Sequence, residues 1–123
     1  NVTAYYSDMR LKTKVADILN PLDMVSKLSG FYYTENETAK SLGYKSDKQQ
    51  VALSAQDVQS VLPEAVTLAP FDMETDEETG EIKSKSGENY LTVDYAKLVP
   101  LLVEAIKELK QEIEVLKNGT NSN

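Results

Sequence analysis

The end of the 123-residue chain carries a heptad pattern, which restricts the fold more than any other feature of the sequence. Large apolar residues recur at alternating spacings of four and three, the period of a helix that packs one stripe against another helix. Asp94 is a suitable N-cap, so the sequence predicts a helix over 95–117. The stripe consists of Tyr95, Val99, Leu102, Ile106, Leu109, Ile113 and Leu116.

This helix fits two arrangements, packing on its own core or self-association. Self-association is favoured because the C-terminal half has only a narrow apolar stripe, which suits a coiled coil. Residues 98–103 are apolar on nearly every side and are expected inside the globular body. Pro100 is expected beyond the first turn, where it would kink the helix or mark a restart. The heptad residues by themselves favour a coiled coil of two helices over one of three.

Composition limits the chemistry open to this single domain. The chain has neither cysteine nor histidine, which excludes a disulfide framework, thiol catalysis, a serine–histidine triad and the usual zinc site. A net charge of −7 argues against nucleic-acid and anionic-membrane partners. No membrane span, cofactor or metal is expected, and any general base must be a carboxylate, a lysine or a tyrosine.

Shorter patterns before the helix predict an α+β fold with a mainly helical body and short strands. Pro21 suits a first helical position, and Ser54 suits the N-cap of a helix over 55–62. Strands are expected at 31–34 and 65–68, and residues 35–48 are interpreted as a polar surface loop or a hairpin connection.

Residues 70–92 differ in composition from the rest of the chain, with an acidic half followed by a basic half. They fit either a disordered acidic loop or a projecting hairpin that turns at Glu78–Glu81 with opposite charges facing. Such a hairpin would need a neighbour to lie on.

The stretch SDMRLK, residues 7–12, holds the residue types of a serine–lysine dyad. A serine hydroxyl needs a base to remove its proton, and lysine is a base only when desolvation or a nearby cation keeps it neutral. Arg10, the only arginine, is close in sequence. Spacing alone favours a structural interpretation, with Ser7 as a helix cap and Lys12 on a solvated face, because such pairs arise by chance.

Three blocks in order favour a different interpretation: SDMRLK, then ALSAQDVQSVLPEAV, then YLTVDYAKLVPLLVEAIKELKQEIEVL. Together they span about residues 7–117 and resemble the endosialidase-type intramolecular chaperone domain, the self-cleaving serine peptidase module of phage tailspikes and tail fibres. The resemblance implies a homotrimer that helps to fold an upstream fibre segment of the same polypeptide. It also implies a virion tail-fibre precursor, assembled in the bacterial host cytoplasm. For the number of helices in the coiled coil, the resemblance favours three, whereas the heptads favour two.

Residue by residue, the resemblance implies that Ser7 is the nucleophile, Lys12 the general base and Tyr6–Ser7 the scissile bond. Gln56 would orient the dyad or bind the oxyanion, with a plain helix residue as its alternative role. Asp8 and Arg10 match the motif as an ion pair. The expected trimer seam is Val99, Leu102, Ile106, Leu109, Ile113 and Leu116.

The implied organisation begins with residues 1–6 as the end of the upstream fibre. Residues 7–117 form the chaperone domain, with 70–92 as an arm around the fibre and 95–117 as the coiled-coil helix. Residues 118–123 are expected to be a disordered tail.

Two other functions stay open from the sequence. One is a permanent, non-cleaving trimeric fibre cap or receptor-facing tip, and the other is a plain coiled-coil interaction module with an acidic appendage. In the self-cleaving interpretation Lys12 is neutral only when buried, and neighbouring subunits could supply that burial. Whether Ser7 attacks its own chain or a neighbour's is not decided by the sequence.

Overall fold

A computed structural model describes residues 6–121 of the chain. The described part has an α+β fold with short strands and a long C-terminal helix, which confirms the predicted class. The helices are α1 (Pro21–Ser26), α2 (Glu37–Ser41), α3 (Ala55–Val61) and α4 (Leu98–Asn121). The strands are β1 (Gly30–Tyr33), β2 (Gln50–Leu53), β3 (Val66–Leu68), β4 (Met73–Thr75), β5 (Ile82–Ser84) and β6 (Leu91–Val93).

These strands form three separate two-stranded antiparallel sheets, β1–β2, β3–β6 and β4–β5. Gly30 lies opposite Leu53 in the first sheet, and Val66 lies opposite Val93 in the second. An isolated two-stranded ribbon is at best marginally stable in water. The sheets therefore depend on the helices that they pack against.

The core is small and lies where the start of α4 meets α1, α3 and the β3–β6 sheet. Leu101 and Val58 are fully buried in it, beside Leu98 and Ala65. Leu98, Leu101 and Ala105 follow one another at spacings of three and four, so they share one face of α4. This core face is not the predicted heptad stripe, which within α4 runs from Val99 to Leu116.

Local signals explain most of the helix starts. The Ser54 hydroxyl accepts the Asp57 N–H at 3.2 Å, and Pro21 is the first residue of α1, which confirms both predictions. The loop predicted over 35–48 is wrong at residues 37–41, which form α2. Its N-cap Asn36 accepts the Ala39 N–H at 2.9 Å, and an asparagine cap followed by a glutamate was the available signal.

The start of α4 corrects the expectation for Pro100. Asp94 caps a 3₁₀ turn at Tyr95–Lys97, and the α-helix begins only at Leu98. Pro100 is therefore the third helical residue, within the first turn, where an N–H would have no intrahelical acceptor. Pro100 therefore requires no kink. The predicted restart corresponds to the change from the 3₁₀ turn to the α-helix at Leu98.

Both ends of the predicted 95–117 helix are displaced in the structure. The hydroxyl of Tyr95, which the heptad assigned to the stripe, accepts the Leu53 N–H at 3.0 Å and so ties β2 to the start of α4. At the other end, α4 continues to Asn121, so residues 118–121 extend the helix where the sequence placed a tail. Residues 122 and 123 lie outside the described part.

Candidate active site and assembly surface

The SDMRLK motif folds around a single 3₁₀ turn at Met9–Leu11. The Leu11 N–H donates to the Asp8 carbonyl at 3.0 Å, and the Lys12 N–H donates to the Met9 carbonyl at 3.2 Å. The Asp8 carboxylate accepts the Arg10 N–H at 2.9 Å. Asp8, and not Ser7, is therefore the capping residue of this turn.

An ion pair braces the same turn. Arg10 Nη2 lies 2.7 Å from Asp8 Oδ2, and this hydrogen bond lowers the pKa of the Asp8 carboxyl and raises the pKa of Arg10. Both side chains are exposed, so the pair defines the shape of the turn and contributes little to stability.

The turn directs the Lys12 side chain back toward Tyr6, the residue that precedes the motif. Its Nζ lies 5.5 Å from the centroid of the Tyr6 ring, within cation–π range and beside the residue whose carbonyl would be attacked. Ser7 and Lys12 are both exposed, and no hydrogen bond joins them in the described structure. One chain alone therefore does not hold these two side chains together as a dyad.

Gln56 occupies a different surface of the chain. It is the second residue of α3 and lines a cleft of about 730 Å³. The cleft has an aromatic wall in which the Phe71 ring centroid lies 5.4 Å from Tyr44 and 5.9 Å from Tyr90. Residues 6–12 do not line this cleft, and the structure shows no hydrogen bond from Gln56 to Ser7 or Lys12. The described chain therefore does not assemble these three residues into one site.

The predicted seam is exposed along the whole of α4. Its six side chains are between 46% and 71% exposed, whereas Leu101 on the core face is at 0%. Contiguous apolar surface of this kind marks an association site. The seam residues are Val99, Leu102, Ile106, Leu109, Ile113 and Leu116.

A buried carboxylate that the sequence did not single out holds the base of the β4–β5 hairpin. Asp72 is 2% exposed and accepts the Ser84 hydroxyl at 2.6 Å, the Ser86 N–H at 2.8 Å and the Tyr90 N–H at 3.1 Å. Burial by itself raises the pKa of Asp72, but these hydrogen bonds outweigh it and lower the pKa to about 2. The partners follow 12 to 18 residues later, and no sequence spacing announces such a contact.

The hairpin itself confirms one of the two interpretations of residues 70–92. Glu74 lies opposite Lys83, with Oε2 and Nζ 3.9 Å apart, so the opposite charges face each other as predicted. Asp76 accepts the N–H groups of Glu78 and Thr79 at 2.8 and 3.0 Å and shapes the turn. The alternative of a disordered acidic loop is wrong.

Metal-binding clusters and membrane-spanning helices are both absent from the described residues. Between residues 6 and 121, no group of three or more acidic side chains is placed to hold a metal ion. No helix in the same range is long and apolar enough to cross a membrane.

Comparison with known proteins adds a family to this geometry. Residues 7–67 match a family described as chaperone of endosialidase, and this range starts at Ser7 and includes Lys12 and Gln56. Over 112 residues, 91% of this chain, the sequence is 34% identical to the long tail fiber protein Gp37 of Enterobacteria phage K3 and to that of Enterobacteria phage T2. The Gp37 of Enterobacteria phage M1 is 30% identical over 90% of this chain.

The matched stretch is a small part of these relatives, 8% of the K3 protein, 7% of the T2 protein and 38% of the M1 protein. The family match begins at the first residue of the SDMRLK motif and ends within β3. This chain belongs to the chaperone-of-endosialidase family.

Proposed function

We propose that this chain is a homotrimeric intramolecular chaperone, which helps an upstream phage tail fibre to fold and assemble and then releases itself by cutting the Tyr6–Ser7 bond. One observation carries the proposal, namely that the seam on α4 is exposed for its whole length in a single chain. A chain with this much exposed apolar helix surface is suited to association. Its relatives are long tail fiber proteins, which supports a role in a virion fibre precursor, and we infer that this precursor is assembled in the host cytoplasm.

Assembly is expected to run along α4. The core face of α4 already binds α1 within one chain, through contacts that include the Leu22 N–H donating to Glu108 Oε1 at 3.1 Å. The seam lies on a neighbouring face, so copies can join there without disturbing the core. We assign three copies on the strength of the family, against the two that the heptads favour. A coil this short needs the globular bodies to hold it together.

Cleavage would use Ser7 as nucleophile and neutral Lys12 as base. Lys12 Nζ takes the Ser7 Oγ proton, and Oγ attacks the Tyr6 carbonyl carbon of the same or of a neighbouring chain. The Tyr6–Ser7 C–N bond then breaks, and Lys12 returns the proton to the leaving Ser7 nitrogen. Water hydrolyses the resulting ester, which leaves a Tyr6 carboxylate and restores the Ser7 hydroxyl.

The exposed motif explains why cleavage would wait for assembly. In one chain Lys12 is solvated, so the hydroxyl of Ser7 has no base to receive its proton. Burial against a neighbouring copy would disfavour the ammonium form and start the reaction. Gln56, which lies apart from the motif in one chain, would donate to the developing oxyanion once assembly completes the site.

The test uses the chain fused to its upstream fibre, with intact mass and N-terminal residue measured after purification and oligomeric state measured by sedimentation. We expect the parent to yield a trimer that begins at Ser7. Ser7→Ala and Lys12→Ala chains should stay full length and still form trimers. Lys12→Arg keeps the charge but cannot become neutral, so it should also stay uncut.

Lys45→Ala is the matched control, because this exposed lysine lies in the loop between α2 and β2. It should cleave like the parent. Cleavage of the Lys12→Ala chain at the parental rate would refute the assignment of the base. An intact trimeric parent would instead indicate the permanent fibre cap, and a stable monomer would exclude both functions.

A further inference from the structure

The chain between the SDMRLK motif and α1 has no regular secondary structure and is unusual in its hydrogen bonding. We call residues 13–19 the strap. No backbone N–H or C=O group of the strap makes a hydrogen bond to any other described residue. Backbone groups are normally paired within the protein or with water. A segment whose N–H and C=O groups are unpaired can therefore pair as a strand with another chain.

The strap is nonetheless held in place on one side. Its Ile18 packs against the hydrophobic core, and Lys14, Ala16, Asp17 and Ile18 share a groove with the first turns of α4. On the other side Val15 is 95% exposed and Leu19 is 73% exposed. Two large apolar side chains of the strap therefore face solvent, beside the exposed ion pair of Lys14 Nζ with Asp17 Oδ1 at 2.6 Å.

The β1–β2 sheet offers a matching surface. At the outer edge of β2, the Leu53 N–H is taken by the Tyr95 hydroxyl. The outer edge of β1 has no hydrogen-bond partner among residues 6–121. Exposed aromatic side chains of β1 flank this free edge, with Phe31 at 42% and Tyr32 at 75%. β1 therefore offers an open edge to a third strand.

We propose that the strap of one copy adds as a third, antiparallel strand to the β1 edge of a neighbouring copy. Charge sets the direction, because Lys14 lies at the start of the strap and Glu35 follows the end of β1. Antiparallel pairing brings these opposite charges together, whereas parallel pairing separates them. The pairing satisfies both free backbone edges and covers Val15, Leu19 and the β1 aromatics in one contact.

This inference rests on the proposed trimer and says what completes the catalytic site. Ser7 and Lys12 lie directly before the strap, so docking of the strap carries them onto the neighbour's body. The neighbour then supplies the cover that the single chain lacks. In this arrangement the strap links subunits and also switches the dyad on.

Hydrogen–deuterium exchange of the assembled protein tests whether the strap is paired. Only every second N–H of a strand faces its partner, so about half of the strap amides should exchange slowly. We expect these to be at least tenfold slower than the amides of residues 45–49, an exposed loop in the same chain. Strap amides that exchange as fast as that loop in a confirmed trimer would overturn the proposal.

Cysteine cross-linking identifies the partner strand. The chain has no native cysteine, so only the introduced cysteines can form a disulfide. A chain with Val15→Cys and a differently tagged chain with Phe31→Cys, Tyr32→Cys or Tyr33→Cys are co-expressed, both with Ser7→Ala. At least one combination should give a disulfide between the two tags, since paired strands bring cysteines within reach. The control partner is Thr67→Cys, exposed on β3, which should not cross-link.

The outcomes separate the inference from the function beneath it. A monomer in sedimentation contradicts the proposed function itself. A trimer whose strap is protected but never cross-links to β1 refutes the second copy's β1 edge as the partner. Protection that appears only when the upstream fibre is fused assigns the strap to the fibre, which also refutes the inference.

Discussion

Residues 6–19, which hold the SDMRLK motif and the strap, and residues 72–90, the region around Asp72, are both poor in regular structure, but they differ in how far they are hydrogen-bonded within one chain. In the Asp72 region a buried carboxylate collects three donors, and Ser84 Oγ accepts two more N–H groups. The strap has no backbone hydrogen bond and shows apolar side chains to solvent. The Asp72 region is therefore held by hydrogen bonds within its own chain. The strap, in contrast, leaves its backbone groups unpaired among residues 6–121.

The two faces of α4 repeat this contrast within one helix. Leu101 is fully buried against the chain's own core, whereas Leu109 on the seam is 47% exposed. Both are leucines of the same helix, so their difference comes from tertiary position alone.

The largest expected effect separates these two leucines. Leu101→Ala should lower the free energy of unfolding by about 2–5 kcal/mol, because it leaves a cavity in the core. Leu109→Ala should leave the folding of each chain nearly unchanged and weaken association, so sedimentation should show dissociation at a higher protein concentration than for the parent. Equal effects of the two changes, each independent of concentration, would break the distinction between core face and seam.

The next effect compares one chemical change at two carboxylates. Asp72→Asn removes the buried charge that three donors converge on, so the hairpin base should open and its amides should exchange roughly tenfold faster or more. Asp8→Asn affects an exposed pair and should leave exchange in the hairpin as it was. Exchange at Ser86 and Tyr90 measures both. If the Asp72→Asn chain is as protected as the parent, the carboxylate is not what holds the base.

Acid should loosen the Asp72 region selectively. The folded-state pKa of Asp72 is about 2, below its ordinary value of 3.8, so its contribution to stability is present above pH 4 and is lost as the pH falls toward 2. Urea unfolding at pH 5 and at pH 2.5 should show a larger loss for the parent than for Asp72→Asn. Other carboxylates titrate in both chains, so the difference between them isolates Asp72. Parallel losses would contradict the assignment.

The smallest effect concerns the cross-strand pair of the hairpin. The ion pair between Glu74 and Lys83 is largely exposed, so a double-mutant cycle with Glu74→Gln and Lys83→Gln should give a coupling of about 0.2–1 kcal/mol, reduced by salt. A coupling of several kcal/mol would mean that the hairpin is closed by charge, and not by Asp72.

The sequence by itself predicted the features that depend on neighbouring residues. The α4 helix follows from its apolar period, α3 from the Ser54 cap, α1 from Pro21 and the hairpin from the turn at Glu78–Glu81. Caps, turns and periodicity act within a few residues of chain, so they are visible before the fold is known. The motif that carries Ser7 and Lys12 was visible for the same reason, although its geometry was not.

Tertiary structure alone decided which apolar surface each element buries. Around residues 98–103 nearly every side of α4 is apolar, so periodicity could not assign the core to Leu98 and Leu101 and leave Val99 and Leu102 exposed. The role of Asp72 was equally hidden, because its partners come from 12 to 18 residues away. Packing and buried hydrogen bonds join distant parts of the chain, and their free energy is set by the fold, while local sequence patterns report only the residues beside them.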